Sequence, residues 1–211
     1  MKLKCKPTKA IRKEFYFSLP TLELIQSGSV LVLCFKDVYS LQQALHRTHI
    51  QYEGSILKGP LRGINIPLQF YLSWLKIMYS KTSFSSIHLN SKDELHANEL
   101  ALLRDISQFF TKSENEFDTE KENGEEPSLD EKLILYLELI PSLHYIIGYI
   151  KGDKSTLIHE ISHATYFMHS NYRNFVSECY SNLSAQVLQY INKELLIRGY
   201  KEDVYQDEFQ A

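Results

Sequence analysis

The chain has 211 residues, 44% of them hydrophobic and 12% aromatic, and a formal net charge of −3. That is enough apolar material for one core or two small ones, and 14 Tyr with 11 Phe argue against a disordered chain. The charge is too small to mark a nucleic-acid or membrane-surface binder, and no apolar run is long enough to span a membrane.

Met1 to Lys13 is basic, but no apolar segment follows it, which predicts a cytoplasmic, intracellular protein with no secretory signal. Lys13 to Leu19 reads as a first strand ended by Pro20, and Thr21 to Ser27 as a short helix closed by Gly28. Ser29 to Phe35 is a continuous apolar run rich in Val and Leu, the pattern of a buried strand. Asp37 is placed to cap a helix from Val38 to His46. Ile50 to Leu57 reads as another strand, and 58–67, with two Gly and two Pro, as an ordered loop. Leu68 to Tyr79 predicts a helix with Phe70, Tyr71, Trp74, Leu75 and Met78 on one face. Ser91 and Glu94 form a capping-box pattern ahead of a helix whose apolar stripe runs from Leu95 to Phe110.

Residues 112–127 are acidic and poor in apolar side chains, the composition of a flexible loop or linker. It divides the chain into a mixed α/β region, 1–111, and a second region, 128–211. The second region opens with a helix from Ser128 to Ile140, stopped by Pro141. Leu143 to Ile150 reads as a strand and 151–154 as a turn. A helix follows from about Ser155 or Thr156, either of which suits its cap, with Asp153 at its positive end. A single long helix is expected from Arg173 to Arg198, its buried stripe including Phe175, Val176, Val187 and Tyr190, with Gly199 as its stop. The last ten residues look like the start of a further helix. Cys5, Cys34 and Cys179 form no C-x-x-C pair and read as free thiols of a reducing compartment. His46, His49, His88 and His96 read as ordinary surface histidines rather than a second metal site.

The chemistry concentrates between Thr156 and Phe167. Here His159-Glu160-Ile161-Ser162-His163 spells His-Glu-x-x-His. On a helix, residues four apart share a face, so His159 and His163 can offer two imidazole nitrogens to one metal ion. Glu160, beside the first His, is placed to take a proton from a water at that metal. Leu157, Ile158, Ile161, Ala164 and Phe167 are apolar and predict a mostly buried helix.

A strand, a short turn and a His-Glu-x-x-His helix together resemble the core of the zincin metallopeptidases, over about Leu143 to Ala211. The resemblance implies an α+β fold with a zincin-like, helical C-terminal half, in which an edge strand ahead of the motif helix holds an extended peptide or protein substrate. It also implies bound Zn2+ and hydrolysis of peptide bonds, with Glu160 as general base and a Tyr or His as oxyanion donor, Tyr166, Tyr172 and Tyr205 being available. The alternative is a non-catalytic zincin-like protein serving as a binding or structural module.

A catalytic zinc normally has three protein ligands, and three residues compete to be the third. His169 falls where the metzincin pattern puts its third His, but that pattern needs Gly where Tyr166 stands. Glu178 lies on the next helix, as in gluzincins, but off the apolar stripe. Glu208 shares a helix face with Val204 and Tyr205, and its Glu-x-x-Ala spacing to Ala211 is gluzincin-like. The chain ends early in that last helix, which suggests a truncated domain.

Overall fold

The computed structural model describes residues 16–53, 61–84, 95–111 and 129–211. Among the described residues it is an α+β fold of four strands and eight α-helices. The strands are β1 (Thr21–Ile25), β2 (Val30–Phe35), β3 (Gly63–Pro67) and β4 (Tyr145–Ile150), in the sheet order β1-β2-β4-β3. β2 and β4 run parallel, and β1 and β3 flank them antiparallel. The one sheet thus joins three strands from before the acidic segment with one from after it.

Strand alternation gives the sheet two apolar faces. Leu31, Leu33 and Phe35 of β2, Ile64 and Ile66 of β3 and Ile146 of β4 point into the larger core. Helices α1 (Val38–Glu53), α2 (Leu68–Phe84), α3 (Ala97–Thr111) and α4 (Leu129–Glu138) supply the rest of that core. Val30, Val32, Tyr145 and Ile147 point the other way, against Leu157, Ile161, Ala164 and Met168 of α5 (Lys154–Met168). Beyond α5 lie α6 (Ser170–Ser181), α7 (Ala185–Arg198) and α8 (Tyr205–Gln210).

Several expectations are corrected here. β4 is not an edge strand: it is hydrogen-bonded to β2 on one side and β3 on the other, so it has no free edge for a substrate. Thr21–Ile25 is a strand rather than a helix, because its backbone pairs residue by residue with Val30 to Cys34 of β2. A tight turn follows, with Gln26 and Ser27 at φ of 51° and 57°. Of the first expected strand, 16–19 carry no regular structure and 13–15 lie outside the described residues. Ile50–Glu53 is not strand but the last turn of α1, whose first turn is capped as expected by Asp37 (Ser40 N–H to Oδ1, 2.8 Å). Gly63–Pro67, expected as loop, is β3. The expected capping box at Ser91 and the acidic segment 112–127 lie outside the described residues. The expected single helix 173–198 is broken at 182–184, where Ser184 caps α7 through Val187 N–H. The break re-aims α7, and Tyr190 (66% exposed) lies on the surface; on α6, Val176 is buried as expected but Phe175 is 61% exposed. α5 is also less buried than its composition predicts, with Ile158 66% and Phe167 45% exposed.

Candidate metal centre

The local sequence sets α5 over the sheet. β4 ends in a turn closed by Asp153 N–H to Ile150 O at 2.9 Å, with Gly152 at φ 88°, a conformation glycine adopts without strain. Asp153, rather than Ser155 or Thr156, caps the helix by accepting the Thr156 N–H at 3.2 Å. Arg62 pairs with the same carboxylate at 2.8 Å and ties the approach to β3 to the start of α5.

His159 and His163 then stand one turn apart, their Nε2 atoms 3.2 Å from each other. Two imidazole lone pairs at that distance repel unless a proton or a cation lies between them. Glu208 of α8 completes the group: one ligand atom from each of His159, His163 and Glu208 lies within 4.8 Å of the others. Among the described residues this is the one such group of three or more His, Cys, Asp or Glu. Of the three candidates for third ligand, the fold brings Glu208 to the two His and leaves Glu178 and His169 exposed. His169 stays away because α5 ends there: its backbone is extended (φ −112°, ψ 99°) and it becomes the N-cap of α6.

α8 also orients both rings. His163 Nδ1 lies 2.8 Å from Asp207 Oδ1, an ion-pair distance whose angle falls short of a full hydrogen bond. The backbone of Ala211 accepts a hydrogen bond from the His159 ring. The Tyr200 hydroxyl bonds the Glu208 carboxylate. Outer partners of this kind fix the tautomer and direction of ligating groups. Burial opposes charge on His163, but the Asp207, Glu208 and Glu160 carboxylates outweigh it and push its pKa up to about 9. On His159, burial and then the neighbouring His163 lower the pKa, which favours the neutral ring that metals bind.

Glu160 is buried, 5% exposed, and points toward β3. Its Oε2 accepts a hydrogen bond from Asn65 Nδ2 at 3.0 Å, and its Oε1 lies against Gly63, where a Cβ would sit 1.9 Å from it. Burial first, opposed by His163 and Asn65, pushes its pKa up to about 7. The last turns of α1 bring further groups that sequence reasoning passed over. His49 and Glu53 are 3.4 Å apart, and His49, expected at the surface, is buried. Burial, then the Glu208 and Glu160 charges, push Glu53 up to about 8. Burial, then His46 and His163, push His49 down to about 4. Burial also raises Glu208.

Glu53, Glu160, Asp207 and Glu208 therefore place four carboxyl groups around two imidazoles in a partly dry site, where burial and mutual repulsion raise Glu53, Glu160 and Glu208. Nitrogen and oxygen donors in that number fit a divalent cation, whose charge would favour the ionised carboxylates. The three Tyr proposed as oxyanion donors are differently placed. Tyr205 is buried, the Tyr172 hydroxyl donates to Gln210 Oε1 at 3.0 Å, and Tyr166 lies near Asp207. Asp207 stands beside a residue the sequence had singled out, but Asn65, Gly63, Glu53 and Tyr200 carry no local motif and reach the site only through the tertiary fold. Comparison with family models, with curated proteins and with solved structures finds no match for this chain.

Proposed function

We propose that this chain is a zinc-dependent metallopeptidase of zincin type that hydrolyses peptide bonds in a peptide or protein substrate. The observation that carries the reading is the convergence of His159, His163 and Glu208 on one point, with Glu160 between the two His in sequence. His159 and His163 each offer a ring nitrogen, His163 giving up its proton when an ion binds, and Glu208 offers a carboxylate oxygen, a donor set that holds zinc. The bound ion supplies Lewis acidity, lowering the pKa of water and polarising a carbonyl.

The chain's own residues do the rest. Glu160 accepts a proton from the attacking water and returns it to the departing amine. Burial strengthens that role, since a carboxylate out of bulk water holds a proton more readily. Asp207 holds the His163 ring through Nδ1, the nitrogen away from His159, and the Ala211 backbone holds the His159 ring. No helix of the described residues is long and apolar enough to cross a membrane.

The test is digestion of a mixed peptide library by the zinc-loaded chain, with and without a chelator. Chelation is expected to stop cleavage and added zinc to restore it. Glu160→Gln is expected to keep the metal and lose about 10² to 10⁴ in rate, the usual worth of a general base. Full activity in that variant would refute the mechanism.

A further inference from the structure

A chain of buried hydrogen bonds runs from α1 through the sheet to α5. The Tyr52 hydroxyl is hydrogen-bonded to the Tyr145 hydroxyl. The Tyr145 hydroxyl donates to Asn65 Oδ1 at 2.7 Å. Asn65 Nδ2 donates to Glu160 Oε2 at 3.0 Å. Four elements, α1, β4, β3 and α5, thus each contribute one member. Tyr145, Asn65 and Glu160 are all buried.

An ionised Glu160 sets the orientation of Asn65: turned over, its carbonyl oxygen would face a carboxylate oxygen, acceptor against acceptor, whereas the Tyr145 hydroxyl, which both donates and accepts, can bond either end of the amide. Gly63, two residues earlier and on the same side of β3, leaves the room that the carboxylate fills. A Cβ there would lie 1.9 Å from Oε1 and 2.7 Å from Cδ of Glu160, so only a bare backbone admits the group. One oxygen of Glu160 is held by a hydrogen bond and the other rests against the strand. An unanchored Glu has three freely turning torsions, whereas a base must present its oxygen in one direction.

We propose that Asn65 is the positioning residue for Glu160, with Tyr145, itself bonded to Tyr52, holding its amide in place. The inference rests on the peptidase reading, because it assigns Asn65 a role through the base of that reaction. Asn65 touches neither His159, His163 nor Glu208 through any hydrogen bond found here, so its effect on the metal itself is expected to be small.

The experiment uses the full chain loaded with Co2+, whose visible spectrum reports ligand binding. Two probes are titrated: acetohydroxamate, which chelates the metal and gives its proton to the neighbouring base, and azide, which binds the metal alone. Asn65→Leu is expected to weaken acetohydroxamate about 10- to 100-fold, the usual effect of removing an outer-shell partner, and to leave azide and metal affinity nearly unchanged. Tyr145→Phe, which keeps the Asn65–Glu160 bond and is the gentler change for folding, is expected to show a smaller loss of the same selectivity. In a Glu160→Gln background, Asn65→Leu is expected to add no further loss, the non-additivity of residues acting through one another. Equal loss for both probes, additive loss in the double variant, or no loss in either single variant would overturn the assignment while leaving the peptidase reading in place. A wild-type chain that takes up neither Zn2+ nor Co2+ would instead sink the peptidase reading, and the role of Asn65 with it.

Discussion

Gly63→Ala is the smallest change that should damage both the fold and the site. A Cβ at this position would stand 1.9 Å from Glu160 Oε1 and 2.4 Å from Thr156 Cγ2. Non-bonded carbon atoms ordinarily keep about 3.5 Å or more, so either the strand or the side chains facing it must shift. Two responses are open. β3 can move off α5, which opens the packing between them and costs about 1–3 kcal/mol. Otherwise the Glu160 head can swing away, breaking the 3.0 Å bond from Asn65 and costing about 1.5–3 kcal/mol for a hydrogen bond to a charged group. The expected loss is about 1–3 kcal/mol, or about 2–12 °C in melting temperature for a chain of this size. Gly148→Ala is the control. It adds a methyl to the same sheet, but its nearest neighbour is the flexible Leu45 Cδ1 at 3.2 Å. It should cost about 1 kcal/mol. Thermal melts followed by circular dichroism compare the two. A Gly63→Ala chain as stable as wild type, or no less stable than Gly148→Ala, would show that Glu160 does not pack against β3 as described.

Three further predictions concern the core and the outer shell. Arg47 Nη1 lies 2.9 Å from Glu99 Oε2, whose side chain is nearly inaccessible; Arg47→Met should therefore cost about 3 kcal/mol or more in a denaturant melt, with Arg47→Met/Glu99→Gln recovering most of it. An undiminished midpoint in the single variant would contradict the pairing. His49 has its pKa lowered to about 4 by burial, then by His46 and His163, with Glu53 at 3.4 Å facing the same ring. The folded state therefore prefers neutral His49, and its contribution is present above the unfolded value near 6.5 and lost as pH falls toward 4. The metal-free protein should lose up to about 3 kcal/mol from this group across that window, and His49→Leu should flatten the profile; parallel pH profiles for the two proteins would count against it. Asp207→Asn removes the carboxylate 2.8 Å from His163 Nδ1 and should weaken zinc about 10- to 100-fold in a chelator competition, with the stoichiometry unchanged at saturation. Unaltered affinity would mean that Asp207 does not orient the ring.

How much of this was legible in the sequence depends on the range over which each signal acts. β2 and β4 were readable because a strand buried on both faces is a continuous apolar run. α1 and α2 were readable from apolar periodicity, and the end of α7 from Gly199, which adopts φ 102°. β1 and β3 were missed because they are short flanking strands defined by pairing rather than composition. Thr21–Ile25 has only 5 residues and an exposed pattern, and Gly63–Pro67 carries Gly, Asn and Pro, residues that usually signal a loop. In β3 those same residues serve the site: Gly63 makes room for Glu160 and Asn65 bonds it. The break before α7 was overlooked because the apolar spacing continues through Leu183 while Ser184 caps a new helix. At the centre, His159, Glu160 and His163 announce themselves by spacing, and Glu208 through the face it shares with buried Tyr205. The α1 residues His49, Tyr52 and Glu53 lie more than 100 positions from the motif, and only the packed layers bring them to it.

The central claim is that His159, His163 and Glu208 hold one zinc ion. The most direct measurement is metal content of the purified chain after zinc reconstitution and desalting, beside His163→Ala, Glu208→Ala and Glu160→Gln. We expect about one zinc per chain in the wild type and in Glu160→Gln, and loss or severe depletion in the two ligand variants. A wild-type chain that retains no zinc, or ligand variants that retain it fully, would contradict the claim.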